Sequence, residues 1–255
     1  KDSILSLILI TTLLATFLYF VPQKEVSADI ISNLVSHWKL DETSGSTASD
    51  SQGSNDGTLT NGPTWQTGYI NNALRFDGSN DRVVVGDPSD GSLDFGTGSF
   101  TYSLWVYATS TVGAYDMPIY KGGSSASIKG YDMELGSGPW RASISDGTTL
   151  KNASFSASPL LSQWVMLTAV VDRTADKLNV YKNGEFVTYT NITGLGSLSN
   201  TYSFTLGANS SGSYDFRGKI DDVRIYDRAL SGDDVLDLYN YSESNLVSHW
   251  KLDET

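Results

Sequence analysis

The sequence predicts an antiparallel all-β sandwich with one short C-terminal helix, and three observations carry that prediction. The 255 residues include 24 glycines, 14 tyrosines and 6 tryptophans, with no cysteine and 18% charged side chains. Short strands joined by polar turns have this composition; helical bundles do not. Short apolar segments alternate along the chain with clusters of Gly, Ser, Asn and Asp. Finally, the dodecamer SNLVSHWKLDET stands at Ser32–Thr43 and again at Ser244–Thr255, 212 residues later. A period that long marks the repetition of a whole domain rather than a solenoid. A unit of about 210 residues is the size of a large single sandwich.

The elements follow in order. Before the unit, Ile4–Val21 is an apolar run preceded by Lys1 and followed by Val26-Ser27-Ala28, a small-residue pattern like a signal-peptidase site. Two readings stand for 1–28: a signal peptide cleaved after Ala28, or an uncleaved membrane anchor, for which eighteen residues just reach across a bilayer. Both make it an apolar helix and put the unit outside the cytoplasm. The sandwich then spans 29–243, and 244–255 is the first strand of a second repeat.

Within the unit, Leu34–Asp41 alternates, with Leu34, Trp38 and Leu40 on one face and Val35, His37 and Lys39 on the other. Ala73–Phe76 and Arg82–Val85 flank a turn-forming cluster, Asp77–Asp81. Ser99–Tyr107 and Gln163–Asp172 are apolar at both parities, as central strands covered on both sides are. Asp146-Gly147 joins Trp140–Ser145 to Leu150–Phe155, and Asn183-Gly184 joins Leu178–Tyr181 to Phe186–Tyr189 as a type I′ hairpin. Ser231 caps a helix with Asp234 three residues on, ahead of Val235, Leu236, Leu238 and Tyr239.

Net charge is −12, with 23 aspartates among the 29 acids. Nucleic acid is excluded as a partner, since phosphate binding needs a basic face. Without cysteine there is no disulfide, thiol chemistry or thiolate metal site. Loops of Asp, Asn and Gly suit calcium, which takes six to eight oxygens. Asp50, Gly53, Asn55 and Asp56 occupy one such loop, and Asp221 and Asp222 approach it from the last strand. Asp221 shares parity with Val223 and Ile225, so it is expected to point inward. An inward carboxylate needs backbone amides, an arginine or a cation. A structural Ca2+ and capping by amides or an ion pair therefore both remain open.

Exposed aromatics flanked by polar side chains make sugar platforms. Trp38, Trp105 and Trp164 lie in apolar strands and read as core. Tyr115 and Tyr214, in Gly/Ser/Asp-rich loops, and Trp140, after Gly138-Pro139, are the candidate ligand-binding residues. Catalysis is not expected. Before the linker residue Glu243 the unit's glutamates are Glu42, Glu134 and Glu185. Asp132 and Glu134 share a strand face, an acid pair common on solvated strands. His37, the unit's one histidine, is expected on an outer face, and no Ser or Asp has an evident triad partner.

Several stretches together resemble the laminin-G-like, concanavalin A-like jelly rolls of bacterial surface and secreted proteins. They are LVSHWKLDETSG from Leu34, DSQGSNDGTL from Asp50, ALRFDGSNDRVVV from Ala73 and GSFTYSLWVYA from Gly98. After these come QWVMLTAVVD, KLNVYKNGEFV and GKIDDVRIYDRALSGDDVLDLY, the last ending at Tyr239. The resemblance implies two curved sheets with the first and last strands adjacent, and hence a short linker between repeats. It also implies a non-catalytic binding or adhesion module, with a structural calcium near the rim. The E-x-D-x-x-E strand motif of related glycoside hydrolases is missing. The expected role is an extracellular tandem array recognising a glycan or another surface polymer, with neighbouring repeats as partners. Two alternatives stand: a spacer in a surface stalk, and an ancillary domain of a larger secreted glycoside hydrolase.

Overall fold

A computed structural model describes residues 28–110, 115–135, 139–155 and 161–250. The apolar run Ile4–Val21 lies outside the described residues. Among those residues the chain forms sixteen strands and two helices. The first half comprises α1 (Ala28–Ile31), β1 (Leu34–Trp38), β2 (Thr47–Ala48), β3 (Gly57–Thr60), β4 (Thr64–Thr67), β5 (Asn72–Asp77), β6 (Arg82–Gly86), β7 (Phe100–Ala108) and β8 (Asp116–Lys121). The second comprises β9 (Gly130–Leu135), β10 (Trp140–Ser145), β11 (Leu150–Phe155), β12 (Trp164–Asp172), β13 (Lys177–Lys182), β14 (Glu185–Asn191), β15 (Phe204–Leu206), β16 (Arg217–Tyr226) and α2 (Gly232–Trp250).

Two antiparallel sheets face each other. The first runs β14-β13-β12-β7-β16-β5-β4, with β1 also paired to β16; the second runs β11-β10-β9-β8-β15-β6-β3-β2. Their facing sides enclose one apolar core that includes Trp38, Phe76, Phe100, Tyr102, Leu167 and Phe204. The doubly apolar segments are indeed central: β7 pairs with both β12 and β16. Their outer sides, Trp105, Met166 and Val170, form a second cluster with Tyr226, Leu230, Val235 and Leu238. Helix α2 thus seals the outside of the first sheet. It starts as the sequence predicts, with Asp234 N–H donating to Ser231 Oγ at 3.1 Å and Ser231 N–H to Asp234 Oδ2 at 2.8 Å. The Asn183-Gly184 turn has both residues at positive φ, 52° and 80°, as a type I′ turn demands.

Three local expectations are revised. A bulge in β1 between Leu34 and Ser36 resets its alternation. Val35 packs against the core while Leu34 packs in the outer cluster. His37 keeps the outer face expected of it but is buried there, beside Asp222 and the Ser242 turn of α2. The Asp77–Asp81 turn joins β5 in the first sheet to β6 in the second and so carries the chain across the sandwich. A second bulge, in β16 between Asp221 and Arg224, places Asp222 at φ 48°. Ile220 and Val223 both face the core, so Asp221 falls on the Trp105 side instead of inward. Last, Ser244–Trp250 continues α2 as helix where a strand is expected. The first copy of the dodecamer already occupies the edge of β16, and a helix satisfies its backbone without a neighbour.

Leu238 is buried between α2 and the first sheet. Leu238→Ala should lower the unfolding free energy by about 3 kcal/mol, as buried Leu truncations do, measured by urea denaturation.

Candidate functional site

With α2 on the first sheet, the outer face of the second sheet is left to loops and side chains. There β9, β10 and β11 are in register, so Asp132, Ser143 and Asn152 form one row across three strands. Tyr120 of β8 extends the row beyond Asp132. The neighbouring row pairs Glu134 with Arg141. These side chains share the outer face because Tyr131, Met133, Ala142, Ile144 and Ala153, at the alternate positions, enter the core.

Above this floor lies a hollow of about 540 Å3 lined by residues that include Tyr115, Tyr120, Ile128, Glu134, Arg141, Asn152, Asn209 and Tyr214. Its rim holds two of the three predicted platform residues. Tyr115 and Tyr214 are 41% and 49% exposed, and their rings meet edge to face with centroids 6.3 Å apart. They converge because Met117 N–H donates to the Tyr214 carbonyl at 2.9 Å, tying the 209–214 loop to β8. The loop itself is folded around Asn209 Oδ1, which accepts the amides of Ser211 and Ser213. Arg141 lies 4.5 Å over the Tyr115 ring and forms a salt bridge with Glu134. Cation–π contact and ion pair together fix the guanidinium in the wall.

Trp140 is not part of this rim. It is 1% exposed and packs in the core. It occupies the parity opposite Arg141, the parity that enters the core.

The acid pair is not solvated either. Asp132 is fully buried, with Ser143 and Glu134 beside it, and among the described residues its carboxylate oxygens meet no well-formed hydrogen bond. Burial, and then the charge of Glu134 beside it, push the Asp132 carboxyl well above the ordinary carboxylate range. Burial also raises Glu134, against the opposing pull of Arg141. The sequence reading missed Arg141, Tyr120 and Asn152 as site residues. A signal existed in the sequence: Glu134 and Arg141 stand equally far from the Gly136-Ser137-Gly138-Pro139 stretch, the spacing of a cross-strand pair.

The predicted calcium residues do not compose one coordination shell. Asp50 Oδ1 accepts the amides of His37, Gln52 and Gly53 at 2.9–3.0 Å, and Oδ2 accepts that of Asn55 at 3.2 Å. These amides hold its carboxyl below the usual range although burial opposes them. Gly53 is needed for closeness rather than as a ligand, since a Cβ there would lie 2.8 Å from Asp50 Oδ2 and the Val35 carbonyl. Asn55 bonds Ser36 Oγ and Ser92 Oγ through its amide, and its carbonyl accepts the Trp38 indole N–H. Asp56 accepts the Asp50 amide.

Asp221 Oδ2 accepts the amides of Tyr69 and Ile70, leaving Oδ1 without a hydrogen bond. Asp222 is a buried ion: Arg224 Nη2 donates to its Oδ1 at 3.0 Å and His37 Nε2 at 2.6 Å. Although burial opposes the charge, Arg224 and His37 hold the Asp222 carboxyl far below its ordinary value. Among the described residues no three His, Asp or Glu side chains converge as metal ligands. Within the chain, Asp50 is thus capped by amides and Asp222 is paired with Arg224 and His37.

Residues 77–236 match the laminin G family described as the concanavalin A-like lectin/glucanases superfamily. The fold resembles the binding domain of Paraclostridial Mosquitocidal Protein 1, with a TM-score of 0.69 at 19% identity, over 83% of this chain and 53% of that one. It also resembles the ligand binding domain of botulinum neurotoxin serotype D, solved with N-acetylneuraminic acid, at TM-score 0.63 and 16% identity, over 82% and 51%. A third is domain 4 of AbnA, an extracellular GH43 arabinanase from Geobacillus stearothermophilus, solved with arabinotriose: TM-score 0.61 and 21% identity, over 81% and 98%. The chain spans about half the length of the toxin domains and nearly all of the arabinanase domain. No curated protein matches the chain.

Two stability predictions follow from the buried acids. The folded-state pKa of Asp132 is raised, so its penalty is absent below the unfolded value of about 4 and grows as pH rises. Asp132→Asn should raise the melting temperature at pH 7 by about 3 °C or more, the shift that 1 kcal/mol gives a domain of this size, and the gain should vanish near pH 4. Asp222 has the opposite sign. Its folded pKa is depressed, so its contribution is present above pH ~4 and lost as pH falls below that. Asp222→Ala should cost about 3–5 kcal/mol at pH 7, measured by denaturant titration.

Proposed function

We propose that this chain, which belongs to the concanavalin A-like lectin/glucanases superfamily, is a non-catalytic module that binds carbohydrate chains on the outer face of its second sheet. The observation that carries the proposal is the pair of half-exposed rings, Tyr115 and Tyr214, at the edge of a hollow walled by Arg141, Glu134, Asn152 and Asn209. A sugar ring presents apolar C–H faces and a girdle of hydroxyls. Flat aromatic edges beside fixed donors and acceptors match both. The hollow also lies within the size range of small-molecule sites.

Two solved neighbours of the same fold carry sugars in their structures, N-acetylneuraminic acid in one and arabinotriose in the other. They support a glycan as ligand class without identifying which. Among the described residues lining the hollow Glu134 is the one acid, and Arg141 neutralises it, while Asp132 in the floor beside it is fully buried and out of reach of a bound sugar. Hydrolysis of a glycosidic bond ordinarily needs two carboxyl groups flanking it, so this wall favours binding over cleavage.

The setting belongs to the same proposal. The apolar N-terminal run and the duplicated dodecamer support an extracytoplasmic array, in which repetition would raise avidity without any new contact. The arabinanase domain, matched over nearly its whole length, favours a second reading, an ancillary module of a secreted hydrolase.

A glycan array followed by calorimetric titration tests the site. Tyr115→Ala and Tyr214→Ala should each weaken binding about tenfold, since truncating a central aromatic costs on the order of 1–2 kcal/mol. Phe186→Ala, an exposed aromatic on β14 of the other sheet, should leave affinity unchanged. A folded protein that binds no glycan would overturn the proposal and leave the spacer role.

A further inference from the structure

We infer that the edge of β16 is a docking slot for the same strand from a second copy of this chain, so that Ser244–Thr255 of one molecule can replace β1 in another. The slot reads β1 through specific contacts. Leu34, Ser36, His37 and Trp38 pair with Tyr226, Ile225, Arg224 and Val223. The His37 amide donates to Asp50 and its ring to Asp222, while Ser36 Oγ accepts from Asn55. The Trp38 indole N–H donates to the Asn55 carbonyl at 2.7 Å, and its ring stacks on Phe204 at 5.1 Å.

All of the residues that β1 brings to these contacts recur in 244–255, in the same order and spacing. None of these contacts can therefore distinguish the two copies. Connectivity does, with the buried Ile30 ahead of the first copy: the first copy is held at its own slot by an effective concentration on the order of millimolar. A neighbouring unit, or a concentrated solution, supplies the second copy at a comparable level.

The geometry directs the second copy outward. Ser242 Oγ lies 3.5 Å from Asp222 Oδ2, and the Arg224 guanidinium lies over the Tyr241 ring, so α2 passes beside the slot at its Asp222 end. That is where β1 finishes, since Leu34 begins opposite Tyr226 and Trp38 ends opposite Val223. A chain entering the slot at Asp222 would run parallel to β16, whereas β1 is antiparallel. The second copy cannot fill its own slot without first travelling the length of the strand and reversing. In the folded chain Ser244–Trp250 is instead helix, unpaired to either sheet. A strand exchanged between copies makes every β1 contact again and needs no new interface.

The full chain tests this with two substitutions and one peptide. Trp38→Ala empties the indole pocket of the first copy while the second stays intact. Its melting temperature should recover, and its mass by light scattering should rise to dimer and beyond, between about 10 µM and about 500 µM, as mass action requires. Trp38→Ala combined with Trp250→Ala should show neither recovery nor association. Separately, the synthetic dodecamer SNLVSHWKLDET at about 1 mM should raise the melting temperature of Trp38→Ala by several degrees, and a scrambled peptide should not. If Trp38→Ala is unfolded alone, peptide-driven recovery of its circular dichroism is the readout. Identical behaviour of the single and double variants, or a peptide without effect, overturns the inference.

Discussion

The buried charge of Asp222 ties the first strand to the last. The carboxylate sits at the bulge of β16, at positive φ, away from water, where an unpaired charge would be untenable. Arg224 from its own strand and His37 from β1 compensate it. Because the carboxylate only accepts, His37 must present its Nε2 proton there. That requirement fixes β1 in register against β16. The amide of the same His37 reaches Asp50, which gathers the 50–55 loop around itself. The loop in turn receives the Trp38 indole. One buried ion thus sets the first strand, the first loop and the last strand relative to each other. The local strain at the bulge persists because so many partners over-determine it.

The same bulge explains why the two outer faces differ. By re-phasing β16 it turns Asp221 towards Trp105 and caps the amides at Tyr69 and Ile70. Tyr69 then stacks on Trp105 at 3.7 Å, and Tyr239 of α2 packs on Trp105 at 5.6 Å. The outside of the first sheet becomes apolar and covered, and its tryptophans are structural. Among the described residues no helix covers the second sheet. Its outer face carries Asp132, Ser143, Asn152, Glu134 and Arg141, polar groups that only loops and solvent can satisfy. Binding chemistry collects where the fold leaves polar side chains without an apolar cover.

Much of this architecture was legible. Apolar residues at both parities of β7 and β12 announced central strands; Asn183-Gly184 and the Ser231/Asp234 box announced a turn and a helix start. The adjacency of first and last strands was legible through the resemblance, and the pairing of β1 with β16 bears it out. What stayed hidden lies at bulges and under loops. Period-two reasoning misplaced Leu34 and Asp221 because a one-residue insertion exchanges faces across it; it gave His37 the right face but not the helix that covers it. Tyr115 and Tyr214 were legible as loop aromatics, but their meeting depends on the Met117–Tyr214 backbone bond between segments almost a hundred residues apart. Trp140 misled because a turn before a strand does not say which parity faces out. Asp132 misled because strand alternation reveals a face and not what covers it.

The antiparallel pairing of β1 with β16 has a mechanical consequence. Leu34 stands opposite Tyr226, so the chain enters and leaves the sheet at the same end of this strand pair. A pull applied across the unit loads that pair like the two halves of a zipper, opening one backbone hydrogen bond at a time instead of shearing all of them together. Force led to these two ends would part the first strand from β16 ahead of the strands paired on both sides within the sheet.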